Sequence, residues 1–342
     1  MKIVILGDLH FGCRNNNKYF YGKQVEFINN ILLPYLDKNK IDRIIQTGDL
    51  FDIRKNISLE TLHNIKRDFF TPLLDRKIEL ITIAGNHDLA MRDNPDVYTS
   101  PLVLSEYPNV ICIPEWAKIE VDGKTIDLCG WLCKSNKEML LGKIKQSTSD
   151  MCISHFELSN FPMYQGIDAM GGYDQNFLSH YDLVLSGHYH TKSHNRNIQY
   201  VGTCYEMDFN DRDDPKGFHI LDTEDLSLKF IQNPTTIHHR IYYPFCEYPL
   251  TEDLTGYKDK IVELVITDKD KHLEKFIDRL YKSKAHQLTF NDLSEVMVNE
   301  AQVEINTEST INILIDTIRE SDMKNKIKGI TLVNEIYADC LI

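Results

Sequence analysis

The chain opens MKIVILGDLH, Met1 to His10, and this stretch decides how the rest is read. Ile3–Leu6 has the length of a buried strand, and Gly7-Asp8 stops it at a tight loop. Four further mainly apolar runs end in the same way. Ile44–Gln46 precedes Gly48-Asp49, Leu80–Ala84 precedes Gly85-Asn86-His87, Met151–Ile153 precedes His155, and Leu183–Ser186 precedes Gly187-His188-Tyr189-His190. In an open α/β sheet, ligands gather beyond the carboxyl ends of the strands. Five such loops carrying Asp, Asn and His therefore predict one polar site that holds metal ions. Imidazoles with few carboxylates suit manganese, iron or zinc better than magnesium or calcium.

The spacing inside the blocks supports a two-ion site. Asp8-x-His10 places two side chains on one face of an extended segment, and His188-x-His190 repeats that geometry. Asp49 offers two oxygens and can bridge two ions. Asn86 adds a neutral oxygen and His155 an imidazole nitrogen. Two ions about 3.5–4 Å apart can clamp a phosphate during in-line displacement.

Along the chain, a helix is expected from Tyr19 to about Lys38, and Ser58 reads as the N-cap of a second helix through Leu62, Ile65, Phe69 and Leu73. Alternation with the first three strands implies βαβ units. From Val110 the pattern turns to strands: Val110–Ile113, Ile119–Val121 and Ile126–Leu128, the last two joined through Asp122-Gly123. Ile198–Val201, Gly217–Asp222 and Leu226–Ile231 complete the set. This order fits an α/β fold: a two-layer β-sandwich flanked by helices, occupying residues 1–245. Arg240-Ile-Tyr-Tyr-Pro-Phe245 reads as its exit. Strand Lys260–Thr267, helix His272–Tyr281 and strand Gln287–Phe290 form a small αβ domain, 246–306. Residues 307–342 read as helical, with Ile311, Leu314, Ile315 and Ile318 at helical spacing.

At 342 residues the chain has room for about two domains. No apolar stretch approaches the ~20 residues of a membrane-spanning helix. The start runs directly into a motif, so nothing there reads as a signal peptide. Eight scattered cysteines, Cys129 and Cys133 not in CxxC spacing, read as reduced thiols of a cytoplasmic protein. The formal charge of −13 argues against a broad basic face coated with nucleic acid. It does not exclude a nucleic-acid enzyme, because bound cations and a partner protein can supply positive charge.

The blocks Asp8-Leu-His10, Gly48-Asp-Leu-Phe-Asp52, Gly85-Asn-His-Asp88, His155 and Gly187-His-Tyr-His190 resemble, in order, the pattern of the calcineurin-like metallophosphoesterase superfamily. Gly7-Asp-Leu-His-Phe-Gly12, His155-Phe-Glu-Leu, Gly202-Thr-Cys-Tyr205 and Asp214-Pro-Lys-Gly-Phe218 resemble the SbcD-type DNA nucleases within it, and the length looks most like the short recombination-endonuclease subunits of T-even-type phages. The resemblance is strong over residues 1–245 and weak beyond. It implies a metallophosphoesterase core in which Asp8, His10 and His190 hold one metal, Asn86, His155 and His188 a second, and Asp49 bridges them. His87 would sit by the scissile phosphate as transition-state stabiliser or proton donor. The implied cofactor is two Mn²⁺ per chain, with Mg²⁺, Fe²⁺ or Zn²⁺ as alternatives. The implied activity is 3′-to-5′ duplex exonuclease and single-strand endonuclease action on DNA in end processing, recombination and replication. The implied partners are DNA, an SbcC-type coiled-coil ABC ATPase gripped by residues 307–342, and a second copy in a heterotetramer. The setting would be the cytoplasm, the host's if the chain is phage-encoded.

Many nuclease relatives carry a second histidine where this chain has Asp52, which is expected to hydrogen-bond His87 and orient it. A phosphomonoesterase or protein phosphatase with the same metals is the alternative enzyme. Against it, Ile53 breaks the phosphatase block G-D-x-x-D-R-G. A scaffold with a degenerate site finds no support, since no ligand position is lost. Asp88 reads as a turn cap as readily as a catalytic group. Arg54 reads as a surface ion pair ahead of a phosphate contact, and Asp211, Asp213 and Asp214 as a solvated turn. Residues 311–318 read as a docking face ahead of ordinary core. The remaining histidines, His238-His239 among them, read as structural or surface residues.

Overall fold

The structure is a computed structural model. It describes residues 1–294 apart from 165, 170 and 245–249, together with 314, 315, 317–319, 326, 329, 330 and 333. The expected partner-binding segment 307–342 falls mostly outside the described residues, and 295–306, Cys246 and Cys340 do so entirely. The chain divides into two compact units, residues 1–207 with 214–235, and residues 208–213 with the chain from 236 onward.

The first unit contains two six-stranded sheets. One runs in the order Leu228–Gln232, Gly217–Asp222, Lys2–Leu6, Arg43–Gln46, Glu79–Ile83, Val110–Ile113. The other runs Ser193–Asn195, Ile198–Tyr200, Leu183–Ser186, Met151–Ser154, Lys124–Cys129, Trp116–Val121. The period-two alternation of each strand makes the two-layer core. Ile3, Ile5, Ile45, Ile81 and Ile83 of the first sheet share one buried cluster with Ile126, Leu128, Met151, Ile153 and Leu185 of the second. Cys129, Cys152, Val184 and Tyr200 point the other way, into a cluster with Leu140 and Ile144 of helix Lys137–Gln146. All five motif-bearing strands pair in parallel with a neighbour, so their carboxyl ends lie on a common side within each sheet.

The two early helices form where expected, and Ser58 Oγ accepts from Thr61 N as the N-cap. Each contains a wider turn, Ile28–Leu32 and Lys66–Phe70, closed by bonds from Leu33 N to Ile28 O and from Thr71 N to Lys66 O. Pro34 and Pro72 follow these turns. A proline lacks the N–H of the regular ladder and crowds the carbonyl four residues back, and one inserted residue relieves that crowding.

The expected exit at residues 240–245 is instead the first strand of the second unit. His238–Tyr243 pairs in parallel with Ile261–Ile266, which pairs with Gln287–Asp292. Ile241 and Tyr243 enter a cluster with Val262, Leu264, Phe276 and Leu280, the last two from helix Leu273–Lys282. A strand whose side chains alternate into that cluster belongs to its sheet. The six described cysteines are free thiols. Asp211 is not solvated as expected: its residue is 1% exposed and it closes a capping box with Asp208.

His219 stands opposite Ile5 and Phe230, and burial, with Lys192 adding to it, pushes its pKa down to about 4. Below pH about 6.5 the unfolded chain takes up a proton that the folded chain refuses, so stability falls with pH down to about 4. The total is about 3 kcal/mol. His219→Leu should flatten that part of the stability–pH curve, measured by urea unfolding between pH 7 and 4. An unchanged slope would contradict the assignment.

Candidate metal centre

The sequence-predicted site residues converge. Each lies in the loop that follows its strand, and three of them bend there with positive φ: His10 (42°), Asp49 (53°) and His188 (88°). Non-glycine residues hold such angles only when their surroundings enforce them. Here Leu9 N and His10 N both donate to Asp49 O, Phe11 N donates to Leu50 O, and Asp52 N donates to Phe11 O. The first two motif loops are thereby laced together. Gln24 Nε2 holds the Leu9 and His10 carbonyls from the early helix.

Asp88 supplies the third tie. It is fully buried, with Oδ1 accepting from Leu50 N and Phe51 N and Oδ2 from Gly85 N. It therefore clamps the second and third loops together, a role broader than the turn cap read from sequence. Two blocks known so far only by resemblance serve the same end. Tyr205 Oη donates to Leu9 O, and buried Lys216 donates to His190 O at 2.9 Å while pairing with Asp214 at 2.8 Å.

Three donor groups result, one of which, His10, Asp52 and His87, shares His10 with another. Asp8, His10 and His190 form the second, and Asp49, His155 and His188 the third, each set offering ligand atoms within 4.8 Å of one another. Asp49 Oδ2 stands between the second and the third, 3.7 Å from His10 Nε2 and 3.3 Å from His155 Nε2. Its Oδ1 is engaged elsewhere, accepting from His87 N at 2.7 Å. A bridge would thus run through one oxygen. Asn86 Oδ1 lies 3.2 Å from His155 Nε2 and 3.0 Å from His188 Nδ1.

These residues fit divalent cations. Ligands about 2.1 Å from one ion stand roughly 3–3.5 Å from each other, which is the spacing of His155 Nε2 from Asp49 and Asn86 and of His188 Nδ1 from Asn86. His155 Nδ1 donates to Thr47 O at 2.8 Å. Its Nε2 in a neutral ring is then a lone pair facing the oxygens of Asp49 and Asn86. Acceptors turned on one another require a proton or a cation between them. In the metal-free protein the proton does this: burial opposes charge on His155, but Asp49 and Asp8 overcome it and raise the pKa to about 9. His10 reaches about 9 likewise, burial opposing and Asp52, Asp49 and Asp8 raising. Asp49 is held well below the carboxylate range: burial opposes, and His155, His87 and His10 prevail. His10 Nε2, in a residue 3% exposed, makes no hydrogen bond among the described residues.

His87 lies where expected, but Asp52 does not hold it as expected. His87 Nδ1 donates to the Asp52 backbone carbonyl at 2.6 Å, whereas the Asp52 carboxylate lies 3.0 Å from His10 Nδ1. The loop laces bring the carbonyl, not the side chain, to His87. Arg54 is not a surface ion pair: its Nε donates to Asn86 O at 3.0 Å. Trp131 escaped the sequence reading. Its ring stands 5.1 Å from that of His188 and 6.0 Å from that of His155, under Arg92 at 5.6 Å. The available signal was Gly130-Trp131 after strand Lys124–Cys129, one more strand ending in glycine.

The glycines of the site are sterically required. A Cβ on Gly85 would lie 2.1 Å from Asp49 Oδ1 and 2.2 Å from Asp49 N. Gly85→Ala should therefore destabilise the fold by about 1–3 kcal/mol and lower the metal content. Thermal melting and elemental analysis check this, and a parent-like melt with full metal would contradict it.

Residues 1–192 match the Calcineurin-like phosphoesterase family. Over 348 aligned residues the chain is 36% identical to "Exonuclease subunit 1" of Enterobacteria phage T4, covering 99% of each chain. It is 24% identical to the SbcD component of the nuclease SbcCD from Staphylococcus epidermidis, covering 67% of each. It is 29% identical to "DNA double-strand break repair protein Mre11" of Sulfolobus acidocaldarius over 48% of this chain and 44% of that one.

Proposed function

The chain belongs to the calcineurin-like phosphoesterase family, and from that membership we propose a dimetal-dependent DNA nuclease in which Asp8, His10 and His190 hold one cation, Asn86, His155 and His188 a second, and Asp49 joins them. The observation that carries this reading is Asp49 Oδ2 facing an imidazole of each proposed ligand set. The DNA substrate is supported by the full-length likeness to a protein named as an exonuclease component. Manganese is the expected metal. When bound, the pair supplies Lewis-acid stabilisation of the phosphate and activates water.

The chain's own contribution centres on His87. Its Nδ1–H is committed to the Asp52 carbonyl, which leaves Nε2 as the exchangeable position. Burial lowers its pKa, so the ring waits neutral. An arriving phosphate raises its proton affinity. With a proton taken up from solvent water the ring becomes a cation that stabilises charge building on the phosphate oxygens and gives that proton to the leaving oxygen. Arg54, tied to the Asn86 carbonyl, adds fixed positive charge beside His87.

In line with the resemblance read from the sequence and with a relative named as a subunit of SbcCD, the protein acts with an SbcC-type ATPase, and residues 307–342 carry the docking. Truncation after Asn306 should abolish co-purification with the ATPase; retention would refute the docking assignment. The activity test is Mn²⁺-dependent digestion of 3′-labelled duplex and circular single-stranded DNA, with and without the ATPase. Nucleotide release from the duplex and nicking of the circle are expected. Hydrolysis of a phosphomonoester alone would favour the phosphatase alternative. Among the described residues no helix is long and apolar enough to cross a membrane.

A further inference from the structure

Three side chains beside the proposed pair of cations make a donor group of their own. His10, Asp52 and His87 offer ligand atoms within 4.8 Å of one another, and the residues are 3%, 5% and 8% exposed. His10 Nδ1 stands 3.0 Å from Asp52 Oδ1, yet it makes no hydrogen bond among the described residues, and neither does Asp52 Oδ2. Buried polar atoms are seldom left in that condition. A ring nitrogen and a carboxylate oxygen this close, but not aligned for a hydrogen bond, are placed as two ligands of one ion are. Each aims at a point beside the other, and atoms about 2.1 Å from one ion stand roughly 3–3.5 Å apart.

The third member is already held for such a role. His87 Nδ1 donates to the Asp52 carbonyl at 2.6 Å, which leaves the lone pair on Nε2. A metal-binding imidazole commonly has a backbone carbonyl or carboxylate on its other nitrogen. The His10 and His87 rings meet edge to face with centroids 4.9 Å apart. The bonds from His10 N to Asp49 O and from Asp52 N to Phe11 O fix the two loops that bring His10 and Asp52 together. Two imidazoles and one carboxylate, with a further position for water, make a donor set that suits zinc. Manganese stands at the foot of the affinity order for such sites and zinc well above it.

We propose that His10, Asp52 and His87 form a separate, inhibitory site for a zinc-type cation, whose occupation takes His10 from the manganese pair and His87 from the reaction. The proposal rests on the dimetal reading above and adds to it a competing ion. A neutral imidazole has one lone pair. With that pair on Nε2, the atom 3.7 Å from Asp49 Oδ2, His10 serves the cation it shares with Asp8 and His190. With the pair on Nδ1, the ring serves zinc and turns an N–H toward Asp49. The two states exclude each other. Zinc therefore competes with one manganese ion and also takes His87 Nε2. Asn86, His155 and His188 lie outside the group and keep their cation.

Zinc also suits the ligands around Asp49, so the ion must be located as well as counted. Crystals of the full-length protein, loaded with Mn²⁺ and then soaked in Zn²⁺, give anomalous maps at the absorption edges of both metals. Zinc between His10, Asp52 and His87, with the position of Asp8, His10 and His190 vacated, supports the proposal. Zinc confined to positions around Asp49, or zinc at His87 beside a complete pair, overturns it while the dimetal reading stands. Neither metal at Asp49 nor at His87 overturns both. In solution, Zn²⁺ should inhibit the Mn²⁺-dependent nuclease, and Asp52→Ala should raise the half-inhibiting zinc concentration about 10–100-fold or more, since loss of a ligand's supporting partner alone costs that much affinity. Half-inhibition of a folded Asp52→Ala at the parent's zinc concentration overturns the proposal. Thermal unfolding shows whether the variant folds; if it does not, or does not turn over, the maps of the parent decide.

Discussion

Asp49→Asn should reduce hydrolysis by about 10³-fold or more, since charge stabilisation by metal ions is worth several kcal/mol and each 1.36 kcal/mol is tenfold in rate. The effect follows from what the asparagine keeps and what it loses. Its amide oxygen can still accept from His87 N, as Asp49 Oδ1 does at 2.7 Å. The backbone carbonyl that receives Leu9 N and His10 N is untouched. The loops should therefore stay laced and the fold should survive. What disappears is the negative charge between His10 Nε2 and His155 Nε2. Elemental analysis should show fewer than two ions per chain, and nuclease assays the rate loss. Full metal content with parent-like turnover would remove Asp49 from the centre.

His87→Ala should lower kcat by about 10²–10⁴-fold, the range of a positioned acid–base group, while both ions remain bound. Asp49 Oδ1 takes the His87 backbone N–H, which alanine retains. The ring itself donates to the Asp52 carbonyl, and His87 belongs to neither proposed ligand set, although it also offers a donor atom within 4.8 Å of His10 and Asp52. Chemistry and metal loading should thus separate: a variant with two ions and little turnover. The combination distinguishes His87 from the ligands, whose loss should remove both. Steady-state kinetics beside calorimetric Mn²⁺ binding makes the comparison. Loss of both ions with the rate would mean that His87 is a ligand rather than an acid–base group.

The strand ends and the gathering of Asp, Asn and His beyond them were legible because both are local. Val110–Ile113 and Gly217–Asp222 form with the bounds read from alternation, and all nine nominated site residues are buried or nearly so at the ends of the first unit's strands. Less legible was whatever depends on which backbone group a loop presents. Asp52 follows Asp49 by three residues and Asp88 follows Gly85 by three, and nothing in that spacing says which N–H or imidazole either acid meets. Asp88 meets three backbone N–H groups from two loops, and Asp52 meets His10 rather than His87. The wide helical turns before Pro34 and Pro72 were likewise hidden, because apolar periodicity averages over one inserted residue. Strand His238–Tyr243 falls on the far side of the division from the one its sequence suggests, because its parallel partner, Ile261–Ile266, lies across a connection whose path no local pattern reveals.

The most direct test of the central claim is anomalous diffraction from crystals of the protein soaked in Mn²⁺. The account predicts two peaks about 3.5–4 Å apart, with Asp49 Oδ2 between them, Asp8, His10 and His190 around one, and Asn86, His155 and His188 around the other. A single peak, or manganese bound away from Asp49, would contradict it.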